Sequence, residues 1–223
     1  MIFPDLKLEQ KVWRGGFESI AGLDEAGRGA LAGPVTVAAV ILPRDHSRLT
    51  STLSGVRDSK LMTPAQRVRW AESIREVARA WSLGWASAEE IDSFGISAAT
   101  RLAAERALAD ISLSPDFLLT DFHLKPDTEI PFASLVKGDQ KSLTIACASV
   151  LAKTARDALM RELDEKYPGY GLAKHKGYGT ASHRAAIEKL GNSPVHRKTF
   201  AFKNPEGGAL TVRSSLTVPK QMK

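Results

Sequence analysis

The sequence predicts one mixed α/β layer fold, with strands and helices sharing a single domain. Three observations carry that expectation. Residues 18–42 hold two apolar runs, the second rich in β-branched residues, separated by a glycine-rich turn, as a pair of strands requires. Residues 80–88 place Trp81, Leu83 and Trp85 at period two, which marks a third strand. Beyond them, helical spacing alternates with short apolar stretches, the pattern of helices layered on a sheet. Propensity alone does not choose among the α/β topologies.

Taken in order, residues 1–17 mix charges with aromatics and read as a lead-in that packs as a short helix. Residues 43–55 form a polar loop. Asp58-Ser59-Lys60 follows, and Thr63-Pro64 supplies an N-cap with proline at the first helical position. Val68, Ala71, Ile74, Val77 and Ala78 recur at helical spacing, so 64–79 is expected to be an amphipathic helix. Residues 87–92 make a short helical turn, and an Ala- and Leu-rich helix runs over 97–110. Residues 116–121 form a short buried strand ending in Asp121, and residues 133–137 a fifth strand, followed by the polar turn Gly138-Asp139-Gln140. The long helix over 142–166 starts with small residues, which permits close packing on the sheet. A last helix, 181–190, lies between Thr180 as cap and Gly191 as stop. Residues 201–223 are expected to be a loosely structured tail, leaving 1–200 as one domain.

Composition narrows the function classes. A chain of 223 residues with 43% hydrophobic residues can bury a substantial core. Its net charge of +6 and pI near 9.5 suit an anionic partner. Cys147 is the single cysteine, so an internal disulfide and a cysteine-built zinc site are excluded. Lying in an apolar run, it reads as a small buried hydrophobe. No leader pattern and no apolar stretch of ~18 residues stand in the chain, so a soluble, cytoplasmic protein is expected.

The chemistry gathers around residues 20–34. Asp24 and Glu25 are adjacent carboxylates at the end of an apolar run, and successive strand residues point to opposite faces. One carboxylate then faces a site directly and the other meets it from the rim. Gly27 and Gly29 free the backbone to approach a ligand, and Arg28 between them carries a five-donor fork suited to phosphate. An acid pair beside a phosphate-reading loop suggests a metal site next to a nucleic acid backbone. The competing reading is a hairpin turn with solvated charges.

The run GLDEAGRGALAGPVTVAAVILP resembles the opening motif of type 2 ribonucleases H, the ribonuclease HII family. Matching segments follow in order: Asp58-Ser59-Lys60, Leu118-Leu119-Thr120-Asp121, Val136 to Ser142, Ala148 to Lys153 with Arg156-Asp157, Tyr167 to Tyr170, Lys174 to Gly179, and Pro194 to Lys198. Together they span roughly residues 18–200. The chain departs from the family at Ala30, where proline is usual, and at Phe122-His123 after the third acid. The resemblance implies the ribonuclease H-like fold, a five-stranded mixed sheet flanked by helices, with a small helical C-terminal part. It also implies an endoribonuclease that hydrolyses the RNA strand of RNA–DNA hybrids and cuts 5′ of ribonucleotides embedded in duplex DNA. Its products carry 5′-phosphate and 3′-hydroxyl ends, and its role is in ribonucleotide excision repair.

Asp24, Glu25, Asp121 and Asp139 are the expected catalytic acids, the first three as metal ligands and Asp139 as fourth member or water-positioning base. Clustered carboxylates repel unless cations neutralise them, and hard oxygen ligands favour Mg²⁺ or Mn²⁺. Two such ions activate a water and stabilise the leaving 3′ oxygen. Asp157, four residues before Arg161, competes with Asp139 for the fourth role, against an i,i+4 ion pair. Gly27, Arg28, Gly29, Lys141, Ser142, Lys174, Lys176 and Tyr178 are the expected nucleic-acid-binding residues, with His196-Arg197-Lys198 extending that surface. An aromatic on a pliable loop among cations stacks on a sugar or base while the cations hold phosphates, though a charge run more often forms a solvated face. The resemblance further implies that Tyr178 stacks on the sugar next to the ribonucleotide. The expected partner is a hybrid or ribonucleotide-containing duplex, bound by a monomer. Two other readings compete: a catalytically silent hybrid-binding protein of the same fold, and a nucleotide cradle at Gly27-Arg28-Gly29. The cradle fails because the spacing is wrong for G-x-G-x-x-G.

Overall fold

In a computed structural model describing residues 3–44, 48–122 and 124–200, Leu23 stands opposite Ala39 on one side and Thr120 on the other. His123 and the expected tail at 201–223 lie outside the described residues. The strands are Ile20–Ala26 (β1), Val35–Ile41 (β2), Ala80–Ala86 (β3), Phe117–Asp121 (β4) and Phe132–Leu135 (β5), and they stand in the order β3-β2-β1-β4-β5. β2 pairs antiparallel with both β1 and β3, whereas β4 runs parallel to β1 and β5 parallel to β4. The expected five-stranded mixed sheet is present.

The helices are Lys7–Arg14 (α1), Leu49–Thr52 (α2), Pro64–Val77 (α3), Ala88–Phe94 (α4), Ile96–Asp110 (α5), Leu143–Lys166 (α6), Leu172–His175 (α7) and Ala181–Leu190 (α8), with 3-10 turns at Ser59–Leu61 and Gly138–Gln140. The one-turn helices α2 and α7 were not expected. The fifth strand ends two residues earlier than expected. Two residues on, Lys137 takes a left-handed conformation (φ 55°) that no strand can continue through.

Thr63 and Gln66 form a reciprocal capping box at the start of α3. Alternation of side chains along the strands divides the core in two. Ala38 and Val40 pack with Ile74 of α3 and Val150 of α6 on one face, while Val37, Ala39 and Ile41 pack with Ala99, Ala103 and Ala107 of α5 on the other. A Cβ on Gly22 would stand 2.5 Å from the Thr144 backbone, so this glycine lets the start of α6 sit directly on β1. That start is closed from the other side by Glu9 of α1. Its carboxylate accepts from the Ser142 hydroxyl at 2.6 Å and from the Thr144 amide at 3.0 Å, where a helix N-terminus favours an anion.

The C-terminal helical part packs through Met160, Tyr170, Leu172 and Ile187 around Ala32. Two buried arginines strap it to the loop after β1. Arg156 donates to the carbonyls of Pro34, Lys176 and Ala32, and Arg197 to those of Gly33, Arg28 and Gly27. Among the described residues no helix is long and apolar enough to cross a membrane.

Candidate active site and nucleic-acid interface

The parallel pairing of β1 with β4 places Leu23 opposite Thr120, so the next residues, Asp24 and Asp121, emerge side by side at the same sheet end. One oxygen each from Asp24, Glu25 and Asp121 lies within 4.8 Å of the others. Backbone amides hold two of these carboxylates: Glu25 donates to Asp24 Oδ1 at 2.8 Å, and Gly138 donates to Asp121 Oδ1 at 2.8 Å. Asp139 follows Gly138 in a 3-10 turn and is buried.

The electrostatics are those of a crowded acid cluster. Burial pushes the Asp24 carboxyl well above its usual range; Glu25, Asp121 and Asp139 add to the rise, and a hydrogen bond with Ser149 opposes it. Asp139 is pushed up to about 6, first by burial, then by Asp58 and Asp121. Lys60 is the neighbouring cation. Partial burial opposes its charge, yet Asp24, Asp58, Asp139 and Glu25 together raise its pKa. Three converging carboxylates with hard oxygen donors fit a divalent cation such as Mg²⁺ or Mn²⁺. Such a charge would lower the cost of keeping them ionised.

The loop beyond β1 separates the two glycines. Gly27 has φ 88°, and a Cβ there would stand 1.8 Å from Arg156 Nε, so packing within the protein accounts for it. Gly29 is exposed, and a Cβ there would meet nothing within 4 Å. Its bareness answers to no neighbour in the fold. Arg28 donates to the Ser97 hydroxyl at 3.2 Å.

The Lys174 to Gly179 segment presents Tyr178, 37% exposed, with Lys153 Nζ 5.5 Å and the Arg156 guanidinium 5.7 Å from its ring centroid. Three histidines fix this segment from beneath. The Ser193 amide donates to His196 Nδ1 at 3.0 Å, so His196 Nε2 carries a proton and donates to His183 Nε2 at 3.1 Å. His183 Nδ1 is then left to donate to the Tyr178 carbonyl at 3.0 Å. His175 stacks on His183 with ring centroids 4.2 Å apart. Burial holds both His183 and His196 down to about 4, so the chain of bonds is built from neutral rings.

The sequence of one family model, described as Ribonuclease HII, matches residues 21–203. This chain belongs to the ribonuclease HII family. Curated ribonuclease HII proteins agree. One from Thermus thermophilus is 53% identical over 194 residues, 87% of this chain and 91% of that protein. One from Dehalococcoides mccartyi is 49% identical over 201 residues, 90% and 94% of the two chains. Among solved structures, the RNase HII of a PCNA complex from Archaeoglobus fulgidus aligns with a TM-score of 0.67 at 26% identity, covering 83% of this chain and 96% of that one. The ribonuclease H2 from Pyrococcus horikoshii aligns with a TM-score of 0.65 at 25% identity, covering 82% and 93%. As a member of this family, the protein is a metal-dependent ribonuclease H hydrolase, and its acid cluster is chemically suited to that dependence.

Several expected site residues sit elsewhere. Ser142 is fully buried, its hydroxyl committed to Glu9 and to capping Ile145, so it offers nothing to a ligand in solution. His196 and Arg197 are buried struts, not an extension of the basic surface. Asp157 is buried 5% exposed and pairs with Lys153 at 2.7 Å and Arg67 at 3.1 Å, not with Arg161. It lies in an ion-pair network apart from the three converging acids. Lys141, Lys174 and Tyr178 are exposed and Lys176 is half-buried. Asp58, Lys60 and Ser149 stand against these acids, and the sequence reading assigns them no role. The Asp-Ser-Lys triplet just ahead of a helix cap was the signal for the first two. Arg156 and Arg197 carried no local signal, because only tertiary structure turns a charged residue into a carbonyl clamp.

Proposed function

We propose that the protein hydrolyses the RNA strand of RNA–DNA hybrids and cuts 5′ of single ribonucleotides in duplex DNA, leaving 5′-phosphate and 3′-hydroxyl ends. The observation that carries this reading is the convergence of Asp24, Glu25 and Asp121 within 4.8 Å, with Asp139 on the turn bonded to Asp121. Those three carboxylates would hold divalent cations, Mg²⁺ or Mn²⁺. Two such ions, when bound, would supply an activated water and stabilisation of the leaving 3′ oxygen. Asp139, whose carboxyl is pushed up to about 6 first by burial and then by Asp58 and Asp121, receives or orients a proton of the attacking water. Lys60, charged among the acids, steadies a phosphate oxygen of the substrate beside them.

Recognition of RNA rests on the 2′-hydroxyl, which donates and accepts a hydrogen bond. The exposed Gly29, with open space where a Cβ would be, lets the backbone reach that hydroxyl, and Arg28 clamps the adjacent phosphate. Tyr178, backed by Lys153 and Arg156, stacks on the following deoxyribose. We place the enzyme in the cytoplasm as a monomer. The test is a duplex with one ribonucleotide and labels at both strand ends. Cleavage immediately 5′ of the ribonucleotide, with a phosphate on the new 5′ end, supports the reading; cleavage 3′ of it, or a cyclic phosphate product, overturns it.

A further inference from the structure

Tyr178 lines a cleft of about 300 Å³ to which none of Asp24, Glu25, Asp121 and Asp139 contributes. Arg67, Lys153, Arg161, Lys174 and Lys176 line it against a single carboxylate, Asp157. Asp157 is already committed to Arg67 and Lys153. Arg161 and Lys174 are exposed and in no ion pair among the described residues. We propose that this cleft is a separate subsite for one phosphodiester of the substrate, on the 3′ side of the ribonucleotide and beyond the sugar that Tyr178 contacts.

The charges favour an anion. Like charges crowded around a partly enclosed space raise each other's cost until an opposite charge enters. Lys176 registers that crowding: burial lowers its pKa, Asp157 works the other way, and Arg161, Lys153 and Arg67 lower it further. Its Nζ is turned back onto the Ala173 carbonyl, and its backbone carbonyl is gripped by Arg156. The lysine is therefore held at the cleft.

The position follows from α6. Ser149 hydrogen-bonds Asp24 at the acid cluster. Lys153 is one turn further along the same helix and Arg161 three turns, roughly 6 and 18 Å by helical rise. The helix thus runs from the cutting site, behind Tyr178, to the cleft. A strand whose scissile phosphate lies at the acids and whose next sugar lies on Tyr178 continues towards these cations. A phosphate there would anchor the DNA on the far side of the ribonucleotide and fix the register of the cut.

This inference rests on the proposed cleavage of embedded ribonucleotides, so affinity and cleavage are read separately. A neutral methylphosphonate is walked, one position at a time, along the DNA 3′ of a single ribonucleotide. Affinity is followed by fluorescence anisotropy. The subsite predicts one position at which neutralisation weakens wild-type binding roughly tenfold or more, as loss of charge-assisted bonds implies. It predicts that this penalty disappears in Arg161→Ala/Lys174→Ala and persists in Arg161→Lys. A wild-type profile with no such position, or an identical profile in the double variant, overturns the subsite. Wild-type protein that shows the position yet fails to cut the duplex would leave the subsite standing and sink the cleavage reading instead.

Discussion

The backbone amide of Gly138 donates to Oδ1 of Asp121 across 2.8 Å, tying the strand that carries the third acid to the turn that carries the fourth. Asp139 is therefore placed by the same peptide that orients Asp121. If it handles the proton of the attacking water, Asp139→Asn removes that capacity and leaves the Gly138 amide bond in place. The expected result is a loss in kcat of roughly 10²-fold or more with KM little changed. Single-turnover kinetics at saturating substrate check it, and an unchanged rate removes Asp139 from the chemistry.

Asp157 is a buried ionic hub, 5% exposed, between Lys153 of α6 and Arg67 of α3. Arg67 in turn holds the Ser59 and Met62 carbonyls, so the pair also supports the turn bearing Lys60. Asp157→Asn leaves the buried Arg67 and the half-buried Lys153 without their counter-charge and is expected to cost about 3 kcal/mol. That figure is well above the few tenths of an exposed helical pair. Urea unfolding measures it. A variant of wild-type stability with no activity would make Asp157 the fourth catalytic acid after all.

His183 and His196 set an acid limit on the segment that carries Tyr178. Their folded pKa of about 4 lies below the ordinary 6.5, so between those values the unfolded chain binds more protons than the folded one. Their contribution to stability is fully present above 6.5, falls as pH drops through 6.5, and is gone by about 4. The urea midpoint should decline over that window, and His196→Gln should flatten the decline. Equal slopes in the two proteins would contradict the neutral chain of histidines.

Gly29 and Tyr178 separate two parts of recognition. Tyr178→Ala should lose far more activity on one embedded ribonucleotide than on an all-RNA strand paired with DNA. Gly29→Val should damage both, since its new side chain stands in the space kept open for the substrate. The ratio of cleavage rates on the two substrates decides. Equal losses in Tyr178→Ala would assign junction reading to another residue.

Much of this arrangement was legible in the residues. Period two in Trp81, Leu83 and Trp85 marked β3, and Thr63-Pro64 marked the start of α3, because both signals are local. Asp24, Glu25 and Asp121 ended apolar runs, and the parallel register of β1 and β4 brought those ends together. What the sequence concealed depends on burial. Ser142 beside Lys141 reads as polar surface until Glu9, far away in the chain, closes over it. Arg197 in a basic triplet reads as a phosphate contact until the carbonyls of residues 27, 28 and 33 enclose it. Charge type is visible in one dimension; the partner that spends the charge is not.

We propose that Asp24, Glu25 and Asp121 hold the metal that drives cleavage. It is tested most directly by calorimetric titration of Mg²⁺ or Mn²⁺ into the wild type and into Asp24→Asn and Asp121→Asn, alongside cleavage of a single-ribonucleotide duplex. The account predicts metal binding and metal-dependent cutting in the wild type. In both variants it predicts metal binding weakened at least roughly tenfold and cutting abolished, while the affinity for the duplex stays near wild type. Wild-type cleavage that persists in a chelator, or variants that bind metal and cut as the wild type does, would contradict it.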